Sequence, residues 1–589
     1  MNKLEHDILK YILYNSYTNQ RNISNAFDCS LGSVNKSIKN LINNKFLDEQ
    51  MVVTEKTYNE LSISSPKNAI ILAAGYGMRM VPINTETPKG LLVIKSEVLI
   101  ERIIRQLYEV GITEIYIVVG FMKEQYEYLI DEYGVNLIVN NEYSSKNNLH
   151  SLFLASNYIS NTYIIPCDIW CENNPFSMHE LYSWYMITEA NSINSYVKCN
   201  RKKELIRINN INTGNKMIGI AYLTGDCSYY VKSQLAIFDK RTEYTNSFWE
   251  ETLFFNNKMV TWAKIEDASK VFEIDTYEQL REIDENSNSL NTEALSIISN
   301  VFNVNKNQIV NITVLKKGMT NRSFTFQINE KKYIMRIPGE GTDKLINRKN
   351  EFNIYNEINH KNICENIIYM NPNNGYKITE FINDTRTCNP NMDSDLIICM
   401  SKLRDFHNMN LKVNHTFDLY KQIEFYESLW ENNKSIYRDY LKTKNNIYKL
   451  KKYIDEHKEK EVLTHIDAVP DNFLISGEEN NKTIYLIDWE YAAMQDPHID
   501  IAMFCIYSLY NKEQIDKLID IYFENSCSSI IRAKIYCYIS VCGLLWSNWC
   551  EYKQQLGVEF GEYSIKQYRY AKDYFKIAVS EISKLGEII

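Results

Sequence analysis

Between Asn68 and about Asp284, short apolar runs alternate with helical stretches, and this rhythm constrains the fold more than any other feature. The runs IILAAG, EIYIVVG, NLIVNN, TYIIPCD and VFEID end in turn residues, and segments such as ERIIRQLYEVG carry helical periodicity. A chain built this way forms a mostly parallel sheet with helices on both faces. Ligands of such a sheet gather at the carboxyl ends of its strands. The loop leaving the first run, LAAGYGMRM (72–80), stands at such an end. It is not a Walker loop, and Met80 replaces the third glycine of a dinucleotide fingerprint. Its bare backbone can still approach an anion, which makes Leu72, Ala73, Ala74, Gly75 and Gly77 a candidate nucleotide-binding turn. Arg79 and Lys89 supply the positive charge that a triphosphate needs.

A chain of 589 residues is too long for one core. Polar, turn-rich linkers, SISSPKN (62–68) and DENSNSLNTE (284–293), divide it into three domains: 1–61, 68–284 and 294–589. The expected class is a multidomain α/β and α+β protein. The net charge of −9 argues against nucleic acid as the main partner. Thirteen cysteines without metal-ligand spacing suit free thiols in a reducing cytoplasm. The charged start MNKLEHDILK is unlike a signal peptide. The apolar stretches IAMFCIYSLY and VCGLLW are shorter than the ~20 residues of a membrane span, so no membrane insertion is expected.

Residues 1–61 read as a winged helix-turn-helix, with ISNAFDCS leading into a second helix whose apolar face is Val34, Ile38, Leu41 and Ile42. The fragment 1–60 carries equal numbers of acidic and basic residues, a poor grip on a phosphate backbone. A docking or dimerisation module is therefore favoured over a DNA-binding regulator, and homo-oligomerisation is left open.

The last domain holds the most specific pattern, VLTHIDAVPDNFLI (462–475) followed by TIYLIDWEYA (483–492). Phosphoryl transfer needs an aspartate to take the substrate hydroxyl proton, an asparagine soon after to hold one magnesium, and a second aspartate past a hairpin to hold another. Asp467, Asn472 and Asp488 have that order and spacing. His465 and His407 read as structural, and Asp500 as a brace for the loop. Further on, Trp546 and Trp549 share a helix face near Glu551, a combination suited to a quaternary ammonium.

The 68–284 segment resembles nucleotidyltransferases that activate phosphorylated sugars and alcohols, through LAAGxGxR and TPKGLL. Through NNEYSSKNNLHSL, YIIPCDIW and VFEIDTYEQL it is most similar to CTP:phosphocholine cytidylyltransferases. That resemblance implies a Rossmann-like α/β domain and a Mg2+ site of Asp168, Glu273 and Asp275, the last two on one face of a strand. It implies that Asn148 and Ser151 approach the nucleotide. FWEETLFF (248–255) offers Trp249 and Glu250 for a choline cage. The 294–589 segment resembles choline kinases and aminoglycoside phosphotransferases, which have a bilobal protein-kinase-like fold. GMTNRSF, with Asn321, corresponds to the loop over the ATP phosphates. Arg336 stands where protein kinases place lysine, with Glu351 as its partner. ITEFI, with Glu380, corresponds to the hinge that receives adenine, and Trp546 and Trp549 become choline-cage walls. Together the resemblances imply a bifunctional enzyme: choline and ATP give phosphocholine, then phosphocholine and CTP give CDP-choline and pyrophosphate, for decoration of surface glycans or lipids. Ethanolamine, another amino alcohol or a phosphonate could replace choline. The remaining alternative is a sugar-phosphate nucleotidyltransferase fused to a small-molecule kinase.

Overall fold

The strand Asn68–Ala73 is buried at all six positions, so it must be paired on both sides and covered on both faces. In the computed structural model it pairs in parallel with Glu114–Val119 and with Thr162–Pro166. The structure describes all residues except 193–194, 209–213, 316–320, 340–344, 431–433, 478–481, 556–557, 559 and 589. The chain divides into two units, Met1–Ser296 and Ile297–Ile589.

Side-chain alternation on the central strand builds two cores in the first unit. Ala69, Ile71 and Ala73 join Ile117 and Ile165 on one face. Ile70 and Leu72 join Val118 and Ile164 on the other. The amphipathic helix Leu99–Glu109 covers the first face with Ile100, Ile103, Ile104 and Leu107. The sheet has ten strands but is less parallel than the sequence suggests. Asn136–Val139, Glu114–Val119, Asn68–Ala73 and Thr162–Pro166 form the parallel half. Beyond them Gly214–Leu223 runs antiparallel to both neighbours, Thr162–Pro166 and Trp184–Ser192. Among the described residues between Trp184–Ser192 and Gly214–Leu223 there is no helix, only the strands Val197–Cys199 and Glu204–Arg207, as suits an antiparallel pair that needs no crossover.

Before this sheet come α1 (Lys3–Asn15), α2 (Gln20–Ala26), α3 (Leu31–Asn43) and α4 (Glu55–Ser64), with an antiparallel bridge between Leu47 and Val53. Ile8, Leu9, Ile12, Ile23, Val34, Ile38 and Leu41 make the common core of α1, α2 and α3. Lys10 pairs with the buried Glu180 at 2.8 Å, and the Tyr182 hydroxyl donates to Asp7 at 2.7 Å. The Asn161 amide donates to the Ile63 carbonyl at the end of α4.

The second unit opens on a five-stranded antiparallel sheet in the order Val310–Val314, Asn321–Ile328, Lys331–Pro338, Lys377–Glu380, Ile367–Met370. The helix Arg348–Ile358 accompanies it. A mainly helical part follows, interrupted by a short sheet containing Phe473–Ser476 and Thr483–Leu486 and by the pair Val462–Thr464 and Ala493–Gln495. Its central helix, Ser529–Gln555, is 27 residues long and apolar enough to cross a membrane, a length not anticipated from the VCGLLW stretch. In its most apolar window 78% of the residues are buried inside the unit, as in a core helix. It packs closely on Glu562–Lys584 at Gly543, where a Cβ would lie 2.8 Å from the Ala571 nitrogen and 2.9 Å from the Gln567 carbonyl oxygen.

Candidate active sites

In the first unit the loop after Asn68–Ala73 turns through Gly77, whose φ of +58° favours glycine. The Met80 N–H closes the turn onto the Gly77 carbonyl. Leu72, Ala73 and Ala74 lie buried at the strand end behind this turn. Lys89 crosses beneath it and meets Asp168 and Asp275, each at 2.6 Å. Burial opposes the charge of Lys89, but the two carboxylates outweigh it and hold the ammonium protonated. Arg79, largely exposed, reaches Asp275 at 2.9 Å. Strand pairing gathers the acids: Glu273 lies opposite Ile169, and the Ile274 N–H donates to the Asp168 carbonyl. Glu273 is pushed above the usual carboxylate range, first by burial and then by Asp275 and Asp168. Three hard oxygen donors that repel one another are the donor set a divalent cation would relieve.

Around this cluster, Asn148 begins the helix Asn148–Leu154, and its Oδ1 accepts from the Trp249 N–H at 2.8 Å. Ser151 is buried one turn on and accepts from Asn140 at 3.0 Å. The Trp249 ring lies fully inside the core beside Tyr185, at 6.1 Å between ring centroids. Glu250 accepts from the Tyr185 hydroxyl at 3.1 Å, while its other oxygen is buried without a hydrogen-bond partner. Burial pushes its carboxyl up to about 7.

In the second unit Asp467, Asn472 and Asp488 line one cleft of about 880 Å³. The Asn472 amide donates to the Asp467 side chain at 3.1 Å and to its carbonyl at 2.8 Å. That commits the amide nitrogen to Asp467, so the oxygen is the atom with which Asn472 would meet a cation. Asp467 is raised well above the ordinary range by burial, then by Asp488 and Glu490. Asp500 accepts from the N–H groups of His465 and Ile466 at 2.9 and 2.7 Å and bonds the His407 ring at 3.0 Å. It thereby holds Ile466 at a φ of +67°, an unusual value for a β-branched residue. Arg336 meets the fully buried Glu351 at 2.5 Å, and Arg348 meets its other oxygen at 3.1 Å. Burial alone would raise Glu351; Arg336, Lys377 and Arg348 outweigh it and hold the carboxyl low. The Asn321 amide approaches Glu490 at 3.3 Å, and Glu380 stands on the cleft wall with Phe381 and Ile382. Gly318 to Thr320 of the phosphate loop lie outside the described residues.

The same cleft ends in an aromatic recess. Trp546 and Trp549 stack at 5.9 Å with planes 16° apart; Tyr491 stands edge-on to Trp546, and Phe560 lies 5.4 Å from Trp549. Tyr507 and Tyr563 complete the wall, and the Tyr507 hydroxyl donates to Asp471. Glu551 is not part of it. Although adjacent in sequence, it turns to Ser435 and the Ile436 N–H at 2.9 and 2.5 Å, because its place on the helix faces that loop.

A profile of MobA-like NTP transferase domains matches residues 69–174, and one of choline/ethanolamine kinases matches residues 312–521. The choline-phosphate cytidylyltransferase of Streptococcus pneumoniae is 31% identical over 221 residues, 37% of this chain and 96% of that protein. The chain belongs to the choline-phosphate cytidylyltransferase family. Its second unit carries a choline kinase domain, and Protein LicA of Haemophilus influenzae is 26% identical to the chain over 265 residues, 42% of this chain and 96% of that protein. Among solved structures, the choline kinase LicA of Streptococcus pneumoniae aligns at 26% identity with a TM-score of 0.42, covering 48% of this chain and 97% of that one.

This cytidylyltransferase–kinase fusion contains wall residues that sequence reasoning did not single out. Tyr491 directly follows the IDWE motif, and Phe560 and Tyr563 lie just past the tryptophan pair, so proximity to both motifs was the available signal. Tyr507, from a separate helix, had none.

Proposed function

We propose that the chain makes CDP-choline in two steps: its second unit phosphorylates choline with ATP, and its first transfers CMP from CTP to the phosphocholine. The observation that carries this reading is the single cleft joining Asp467, Asn472 and Asp488 to the recess of Tyr491, Trp546, Trp549 and Phe560. A trimethylammonium has no N–H to donate and is held by aromatic faces, with carboxylates nearby to balance its charge. The layout of 1–61, 68–284 and 294–589 as separate domains belongs to the same reading. Its thirteen free cysteines suit a reducing cytoplasm.

In the kinase step Asp467, oriented by the Asn472 amide, takes the proton of the choline hydroxyl as its oxygen attacks the γ-phosphorus and ADP leaves. Arg336, fixed by Glu351, faces the phosphates. Asn472 and Asp488 would hold Mg2+, which neutralises the charge on the transferred phosphoryl. In the second step an anionic oxygen of phosphocholine attacks the α-phosphorus of CTP and pyrophosphate leaves. No base is needed, because that oxygen is already deprotonated. The turn 72–77, with Arg79 and Lys89, cradles the triphosphate; Asn148 and Ser151 stand near the nucleoside; Asp168, Glu273 and Asp275 would hold Mg2+. Glu250, rather than the core-packed Trp249, is the group suited to the choline cation in this unit.

A 2-aminoethylphosphonate cytidylyltransferase from Lancefieldella rimae is 41% identical over 105 residues, 43% of that protein, which keeps a phosphonate acceptor as the second reading. A kinase on the same chain favours a phosphate ester instead, since its product then feeds the transferase. The deciding experiment is a coupled assay with ATP, CTP and either choline, ethanolamine or 2-aminoethylphosphonate. CDP-choline as the main product is expected. Faster ATP-dependent turnover of ethanolamine, or ATP-independent use of the phosphonate in preference to phosphocholine, would discard choline.

A further inference from the structure

The amino-terminal helices present one face that neither their own core nor the transferase sheet covers. α3 buries Val34, Ile38 and Leu41 against α1 and α2. α1 and α4 attach the module to the rest of the first unit through Lys10–Glu180, Asp7–Tyr182 and Ile63–Asn161. The outer face of α3 and the start of α2 form an open groove of about 790 Å³, whose polar lining is Gln20, Asn35, Lys36, Lys39, Asn40 and Asn43. Every polar side chain there is an amide or an ammonium, and no carboxylate lines it.

The neutral balance of residues 1–60 survives folding, since Lys3 and Lys10 are engaged as well as Glu5 and Asp7, and what the fold does is sort the remaining charge by face, leaving the α3 groove without an acid. Glu5 is buried and accepts from Asn40, and Asp7 is engaged by Lys3 and Tyr182. Arg21, Lys36 and Lys39 remain exposed, with no ion-pair partner among the described residues. Asn and Gln amides match the adenine edge and lysine matches guanine, so this is the chemistry of a base-reading helix rather than of a protein interface core. A short helix, a turn of four residues and a 13-residue helix with an outward polar face are the elements that seat a helix in the major groove. The segment after α3 carries Asp48 and Glu49 and adds no grip on phosphate.

We propose that α3 binds duplex DNA through its Asn35, Lys36, Lys39 and Asn43 face, with Arg21, Lys36 and Lys39 meeting the backbone. Three phosphate contacts give a log–log salt slope of about −3 for the association constant. The test uses the full chain and a randomised 30-base-pair duplex pool, enriched by repeated capture and then measured by fluorescence anisotropy across salt concentrations. The pool is expected to converge on a sequence. Lys36→Ala with Lys39→Ala should flatten the slope by about 2 and weaken binding at least tenfold at low salt, by the same counterion argument, while both transferase activities and the melting temperature stay unchanged. Failure of the pool to converge, or binding and slope unaffected by the double variant, overturns the proposal. A shift in sedimentation of the variant without a change in DNA binding would assign the face to a second copy of the chain and overturn it as well.

Discussion

Replacing Trp546 with leucine separates charge recognition from packing in the kinase recess. Trp546 and Trp549 are 6% and 8% exposed, so a cation held between Tyr491 and the stacked indoles would be desolvated. A desolvated cation–π contact contributes about 2 kcal/mol, and at ~1.36 kcal/mol per decade that is roughly a 30-fold rise in KM for choline. Leucine keeps much of the apolar area, so 3,3-dimethylbutan-1-ol, the neutral isostere of choline, should lose about twofold or less. The assay is ADP release at saturating ATP with each alcohol. The KM for ATP and the melting temperature of the second unit report whether its cleft is still folded, and CTP-dependent turnover of supplied phosphocholine reports the other unit. Equal loss for choline and its neutral isostere, with the KM for ATP and the melting temperature unchanged, would show that the recess recognises shape alone. An unchanged KM for both would remove Trp546 from the site.

Asp467→Asn should lower ATP-dependent phosphorylation by about 10²- to 10⁴-fold, the usual worth of a positioned base, and leave the CTP step untouched. Lys89→Ala should do the reverse, and loss of both activities from either change would refute independent sites. Asp500→Ala strands the buried N–H groups of His465 and Ile466, at about 1–3 kcal/mol each. It should lower both kcat and the melting temperature of the second unit with little effect on KM for ATP; normal kcat would remove Asp500 as the brace of the catalytic loop. Glu250 keeps its proton in the folded state up to about 7, against 4.5 as its reference value, so it destabilises the fold progressively as pH rises between those values. Glu250→Gln should therefore match the parent near pH 4 and be more stable at pH 8 by up to about 3 kcal/mol, at ~1.36 kcal/mol per pH unit. Calorimetric melts at both pH values check this, and a difference independent of pH would refute the buried carboxyl.

What was legible in the sequence follows from how each feature is encoded. The loop of the second unit is contiguous: Asp467 and Asn472 are five residues apart, and the hairpin of Phe473–Ser476 and Thr483–Leu486 sets Asp488 beside them, so spacing alone pointed to the phosphoryl-transfer reading. The acids of the first unit were half legible. Alternation along VFEID predicts Glu273 and Asp275 on one strand face, but the strand ends at Glu273 and Asp275 lies just past it; the pairing of Val271–Glu273 with Ile169–Cys171 is what brings them to Asp168. The mixed character of the sheet was not legible, because strand direction depends on which neighbour pairs, and Trp184–Ser192 reads the same in either sense.

The aromatic recess shows where local reading fails for a physical reason. A cage for a bulky cation needs faces from several directions, and one helix presents only one. Trp546 and Trp549 come from one helix, Phe560 and Tyr563 from the segment after it, and Tyr491 and Tyr507 from two elements further back in the chain. Glu551, which proximity in sequence recommended, is two residues past Trp549 and so points to another side of the helix, where a backbone N–H and a serine engage it. The charge that balances the cation must then come from the acids of the catalytic loop. Asp467, Asp471 and Glu490 line the same cleft, so the proposed base and the groups that would balance the cation share one electrostatic field. Removing Asp467 should therefore weaken choline binding as well as catalysis, and a variant that lost kcat at unchanged affinity for choline would show the two to be separable.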